Sequence, residues 1–264
     1  MKIEQAKQIA GKAIEELSHA LEAGHSEKLR EYLGAMARFH RYSWHNIMLI
    51  ASQRPNATRV AGFNTWKRLG RFVKKGAKGI MVLAPVLVKQ EAERQQTEEQ
   101  EEAIRFRAVY VFEMADTDGK PLPQFGQAEG DPSEYTHRIK EFVSSNGIEL
   151  EYSDAIHPAQ GQCSPGKIVI LPGQGPAEEF ATLAHELAHS LLHQGEQRAE
   201  TTKRVRETEA EAVAFVVCEG IGLSARSSAD YIHLYDGNKD TLATSLERIQ
   251  HTSAEILTAI TSAD

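Results

Sequence analysis

Residues 176–195, PAEEFATLAHELAHSLLHQG, restrict what this chain can fold into more than any other stretch. Pro176 follows Gly175 and suits a first helical turn, where its missing N–H has no helical partner to lose. Glu178 and Glu179 complement the positive end of the helix, and Gly195 offers an exit. Phe180, Leu183, Ala184, Leu187, Ala188, Leu191 and Leu192 fill one broad face, so the segment is predicted as a helix at least half buried in a core. On it, His185 and His189 lie one turn apart on the same face and can offer two ring nitrogens to one cation. Glu186 stands beside the first, where a carboxylate can take a proton from water activated by a metal. An HExxH pattern alone is only moderately specific; its place in a capped helix just after a strand strengthens it.

A catalytic zinc takes three protein ligands and leaves a position open for water. His193 continues the four-residue spacing, but three successive turns of a straight helix spread their side chains over about 12 Å, too far for one ion. The following stretch RETEAEAVAFVVCEGIG (206–222) offers Glu207, Glu209 and Glu211. Glu207 heads the stripe 207, 210, 211, 214, 217, 218, mostly Ala, Val and Cys, and is expected to face inward. Glu209 heads a stripe that reaches Glu219 and reads as more exposed. Glu207 is therefore the expected third ligand, and Glu211, one turn later, is expected to hold a ligand histidine by hydrogen bond. The expected cofactor is Zn2+, with Mn2+ as an alternative.

Charge is distributed unevenly. Tyr32 to Gln90 contains no Asp or Glu but 11 Lys and Arg, leaving the rest of the chain with 19 basic residues (30 less 11) against 37 acidic ones. The same window holds both tryptophans together with Tyr32, Phe39, Tyr42, Phe63 and Phe72. Cations that track phosphates and aromatic faces on which bases stack are how single-stranded nucleic acid is held. The expected contacts are Arg59, Trp66, Lys67, Arg68, Arg71, Lys74, Lys75 and Lys78, several of them in the Gly-rich stretch RLGRFVKKGAKG. Phe63, Phe72 and one tryptophan are expected in the core instead. Arg41, Tyr42 and Trp44 are weaker candidates, because they fall within a presumed core helix. No helix-turn-helix, zinc-finger or RNP pattern is present, which argues against sequence-specific duplex readout.

Helical spacing is predicted over 1–23 and 27–52, and strands over 79–88 and 104–112, joined by a charged hairpin insert, KQEAERQQTEEQEEA. The Pro- and Gly-rich stretch 121–132 marks a domain boundary. Beyond it come a helix at EYTHRIKEFVSSNG, strands at IELEYS and KIVILP, and a turn-rich joint between them. KIVILP is expected to be an edge strand able to align an extended peptide. No apolar run approaches the roughly 20 residues a membrane span needs. The start of the chain has no signal-peptide core, and the two cysteines form no disulfide framework, so the chain is expected in the cytoplasm.

HELAHSLLH followed by ETEAEAVAF resembles the gluzincin-type metallopeptidases of the ImmA/IrrE group, whose ligand Glu lies three residues before an Ala, as Glu207 does before Ala210. Upstream, YSWHNIMLIASQRP, AGFNTWKRLGRFVKKGAKGI and VFEMADTDGKPLP resemble the N-terminal domain of ArdC-type antirestriction proteins. Members of that family often carry Asp where Glu113 stands and Gln where Asp116 stands. The resemblance implies an α+β chain. Residues 1–125 would form a single-stranded-DNA-binding domain of helices and a small antiparallel sheet, and 131–264 a zincin-like zinc metallopeptidase domain. It also implies an antirestriction role, with single-stranded DNA and a protein or peptide substrate as partners. A DNA-shielding protein with a structural metal and a peptidase that cuts one repressor remain open readings. Tyr231 and Tyr235 are candidate oxyanion partners.

Overall fold

A computed structural model of the chain describes residues 2–88, 103–120, 132–193, 201–223 and 239–262. It is an α+β protein whose contacts divide it into two compact units: residues 1–13 with 48–122, and residues 14–47 with 123–264. One division falls at 122/123, within the boundary expected at 121–132, but residues 14–47 group with the later part of the chain. Residues 121–131 and residues 89–102 of the charged insert lie outside the described residues. No described helix is long and apolar enough to cross a membrane.

Helix α1 covers Lys2–Glu22, α2 Glu27–Arg38 and α3 Trp44–Gln53. The single helix expected over 27–52 is therefore broken at residues 39–43. Ser43 explains the restart, since its hydroxyl accepts from Asn46 N–H at 3.4 Å and its carbonyl from Ile47 N–H at 2.9 Å. Periodicity hides the break: Met36 and Ile47 are separated by about three full turns, so the apolar phase is kept across it.

In the first unit, short β1 (Val60–Gly62) leads into helix α4 (Phe63–Arg68) and β2 (Arg71–Val73). The long strands β3 (Ile80–Val88) and β4 (Ala103–Glu113) pair antiparallel, giving a sheet of order β1-β4-β3. Pro85 sits in β3, an outer strand, where its missing N–H costs no ladder bond. The Gln53 side chain closes part of this strand's backbone by donating to Met81 O at 2.9 Å and accepting from Met81 N–H at 3.0 Å. Strand β5 (Thr117–Gly119) pairs with β2, and Ala6, Leu49 and Met81 form a core beside the sheet.

In the second unit, α5 (Ser133–Ser145) precedes β6 (Glu149–Tyr152), β7 (Gly161–Ser164) and β8 (Lys167–Ile170). The order is β6-β8-β7, with β6 parallel and β7 antiparallel to β8. KIVILP is therefore the central strand, contrary to its expected edge position. Its alternating buried Ile168 and Ile170 mark the core face, and both backbone edges are already paired. The edges are β6 and β7, the latter in the stretch read as turns. Helices α6 (Pro176–Leu192), α7 (Lys203–Gly220) and α8 (Lys239–Thr261) complete the unit, α6 packing on α7 and α7 on α8. Helix α2 joins them against α7, and Gln250 on α8 donates to the carbonyls of His40 and Tyr42, holding the 39–43 turn.

Trp66 is only 2% exposed and its indole N–H donates to Phe112 O at 2.9 Å, so it is a core residue rather than the stacking platform expected. Trp66→Ala should cost about 3–5 kcal/mol of stability in a denaturant titration. An unchanged midpoint would contradict this placement.

Candidate functional site

The site is set by the junction between β8 and α6. After Ile170 the chain turns at Gly173, which has a positive φ of 85°, and enters α6 at Pro176. Several side chains pin this first part of the helix to the sheet. Tyr152 donates to Glu179 at 2.6 Å and Lys140 pairs with it at 2.8 Å, while Gln160 donates to Glu178 at 2.5 Å. Thr182 donates to the Gln174 side chain at 2.9 Å. Opposite, Thr202 caps α7 by accepting from Val205 N–H at 3.2 Å, which sets the register of Glu207, Glu209 and Glu211.

Three of the residues singled out from sequence converge. His185 Nε2 and His189 Nε2 are 3.1 Å apart, and Glu207 Oε2 lies 3.7 Å from the first and 3.4 Å from the second. A tetrahedral ion with bonds of about 2.0–2.1 Å requires ligand atoms about 3.3–3.4 Å apart. The triangle matches that demand, and two imidazoles with one carboxylate form a donor set suited to Zn2+ and related divalent cations. Glu211 Oε2 stands 3.5 Å from His185 Nδ1, on the far side of the ring.

The protonation pattern follows from this crowding. Burial pulls the His185 imidazolium down, but hydrogen bonds to Glu207 and Glu211 outweigh it and raise the group to about 9. Burial, then the charge on His185, lowers His189 to about 4. Hydrogen bonding from His185, against the opposing effect of burial, lowers Glu207 to about 2. A proton on His185 thus supplies the positive charge that the two acids demand. Glu186 faces the opposite pressure: burial raises its carboxyl, with the charge on His185 opposing and that on Glu207 assisting.

His185, Glu186, His189 and Glu207 line a pocket of about 830 Å³ whose far wall is β7 from Gly161 to Ser164. The backbone of β7 comes directly against the catalytic candidate. A Cβ at Gly161 would lie 2.7 Å from Glu186 Cγ and Oε1 and 2.8 Å from Thr182 Cγ2.

Two readings from sequence need correction here, the first being Glu207, expected to face inward but with a side chain 51% exposed. Glu209 is completely buried, not on an exposed stripe. It is reached by His193, whose Nε2 lies 2.9 Å from Glu209 Oε2. His193 is outside the ligand triangle, as the helix geometry required. The four-residue spacing that drew attention to it was a real signal, but for contact with His189 rather than with a cation. Tyr231 and Tyr235 lie outside the described residues.

In the first unit, Lys67, Arg68, Lys74, Lys75 and Lys78 are exposed and Arg59 is half-buried. Arg71 has a structural engagement, donating to Thr117 Oγ1, Thr117 O and Lys120 O, which ties β2 to β5. The acid-free window also meets acids from elsewhere in its unit. Arg54 pairs with Asp116 at 2.6 Å, and Lys74 with Asp118 at 3.4 Å. Glu113 caps the turn at Met114–Asp116 and accepts from Thr58 Oγ1, so this loop braces the unit. Phe63 and Phe72, expected in the core, are 54% and 60% exposed. Phe106 and Tyr110 are exposed too. Among the described residues of this unit, the large aromatic side chains turned to solvent are therefore three phenylalanines and Tyr110, while Trp66 is buried.

Comparison with known proteins bears on the fold. Residues 5–112 match the family model of the N-terminal domain of anti-restriction factor ArdC. The metal-free crystal structure of the ArdC antirestriction protein from plasmid R388 superposes with a TM-score of 0.57 at 20% identity, covering 96% of this chain and 97% of that one. Its Mn(II)-bound structure matches equally, at 18% identity, over 97% and 99% of the two chains. An uncharacterized protein of Bacillus anthracis is 25% identical over 97% of this chain, which spans about half the length of that relative. The chain therefore has the fold of an antirestriction factor. More particularly, that fold is ArdC-like, and residues 5–112 are similar to the N-terminal domain of ArdC.

The tight approach at Gly161 gives a direct check. Gly161→Ala should destabilise the protein by about 1–3 kcal/mol through overpacking, read as a fall in melting temperature. Adding Glu186→Ala, which removes two of the three clashing atoms, should recover part of the loss in a double-mutant cycle. Strict additivity of the two changes would contradict the packing described.

Proposed function

We propose that this chain is an antirestriction-type protein that binds single-stranded DNA through determinants before residue 125 and hydrolyses peptide bonds at a metal centre after residue 131. The observation that carries the second half is the triangle of His185 Nε2, His189 Nε2 and Glu207 Oε2, with Glu186 beside it. His185, His189 and Glu207 would hold Zn2+, or Mn2+, the ion named for the R388 relative. A divalent cation there supplies Lewis-acid polarisation of a substrate carbonyl and favours deprotonation of water.

The remaining work falls to the chain's own groups. Glu186, whose carboxyl is raised by burial, accepts a proton from water in the pocket and delivers it to the departing amine. The outer edge of β7 offers backbone N–H and C=O groups along the pocket wall, suited to aligning an extended peptide by main-chain hydrogen bonds. Glu211 steadies His185 from behind.

Glu186→Gln should leave metal content and DNA affinity intact while lowering peptide cleavage by about 10²–10⁴-fold, measured with a peptide library and the metal-loaded protein. Cleavage at the wild-type rate by this variant, or none by the wild type with either metal, would overturn the peptidase reading.

For DNA, the support is the exposed cluster of Lys67, Arg68, Lys74, Lys75 and Lys78 with Phe63 and Phe72 in the same unit. Loss of one stacking ring, as in Phe63→Ala or Phe72→Ala, should weaken single-strand binding by about 1–3 kcal/mol without changing its salt slope. Lys75→Ala should instead flatten the slope by about 0.7 for each phosphate that the side chain neutralises. Binding that ignores both salt and the phenylalanines would rule this surface out.

A further inference from the structure

The outer side of the second histidine is served by a buried network. His193 is 3% exposed and closes α6 as its C-terminal cap, and Glu209 on α7 is fully buried. Their contacts run in series. His189 Nδ1 lies 3.1 Å from His193 Nδ1, and His193 Nε2 lies 2.9 Å from Glu209 Oε2. The other carboxylate oxygen of Glu209 accepts from Ser245 Oγ at 2.6 Å and has Arg248 NH1 at 3.7 Å.

Hydrogen-bond chemistry allows few proton arrangements along this line. A neutral imidazole carries one N–H and one bare nitrogen. The two Nδ1 atoms face each other, so one must donate and the other accept. An ionised carboxylate only accepts, so Glu209 requires the proton of neutral His193 to sit on Nε2. His193 Nδ1 is then bare and must receive a proton from His189 Nδ1. That leaves His189 Nε2 bare, pointing at His185 Nε2 and Glu207 Oε2. The reverse arrangement sets a bare ring nitrogen against a carboxylate oxygen and buries two acceptors face to face, which is costly.

We infer that Glu209 and His193 form a two-step relay that fixes His189 in the tautomer able to bind a cation through Nε2. The inference rests on the metal-centre reading above. Both are positioning residues: neither reaches the cation, and each acts through the ring before it. Metal-binding histidines are commonly oriented by a carboxylate on their outer nitrogen. Here a second imidazole carries that influence from α7 across to α6. The other ligand histidine is served directly by Glu211, so the two rings are oriented by different devices. A purely structural pair of His193 and Glu209 would not need the remaining ring nitrogen aimed at His189.

The test uses the full chain and two readouts besides activity. Affinity for Zn2+ and for Mn2+ is measured by competition with a chromophoric chelator. His193→Leu should weaken it about 10–100-fold, whereas His193→Gln, whose side-chain carbonyl can accept from His189 Nδ1–H, should recover most of the loss. In the unaltered protein, long-range proton–nitrogen NMR of the imidazoles should find His189 protonated on Nδ1 and His193 on Nε2. Equal affinity in His193→Leu, or the opposite tautomers, would overturn the relay while leaving the metal centre standing. A wild-type chain that takes up neither ion would overturn the centre and the relay together. Should His193→Leu fail to fold, the tautomers of the unaltered chain decide.

Discussion

The packing of α6 on α7 is the constraint on which the site depends. The three candidate ligand atoms come from two helices, so their 3.1–3.7 Å spacing holds only while the register between those helices holds. Both helices bury alanines, Ala184 and Ala188 on one and Ala210, Ala212 and Ala214 on the other. Small side chains let helix axes lie near the close end of their usual separation, so short His and Glu side chains can meet. The register is pinned at each end. Pro176, Gln174, Tyr152 and Lys140 fix where α6 begins, and the Thr202 cap fixes α7.

Burial then divides the labour among chemically similar groups. Of the acids in and around the site, Glu209 is wholly enclosed and satisfied by His193 and Ser245, and Glu186 sits in the pocket wall against Gly161. Glu207 retains a side chain 51% exposed, turned toward the open pocket. The ordering of carboxyl behaviour follows: hydrogen bonds from His185 pull Glu207 down to about 2, while burial pushes Glu186 up. One acid is thereby suited to holding a cation and its neighbour to handling a proton.

Much of this was legible from residue spacing. The helix at 176–192, its two histidines and the adjacent Glu186 follow from helical geometry, whereas the inward stripe expected for Glu207 does not match its side chain, which is 51% exposed. What spacing could not give was the burial of Glu209. Its own helix reads as polar on that side, and the partner that justifies burying a carboxylate, His193, comes from another helix. The strand β7 escaped because GQCS carries no β-branched or aromatic residue and lies among turn formers, yet it pairs with β8 through backbone alone. The misplacement of Phe63, Phe72 and Trp66 has a similar origin. Segments of three and six residues are too short for periodicity to say which face is inside, so hydrophobicity gave no guide to which ring met solvent.

Anomalous diffraction from crystals grown with Zn2+, collected across the zinc edge, bears most directly on the central claim. The account predicts one strong peak about 2 Å from His185 Nε2, His189 Nε2 and Glu207 Oε2. A peak held by other residues, or loaded crystals in which these three side chains diverge from any shared centre, would contradict it.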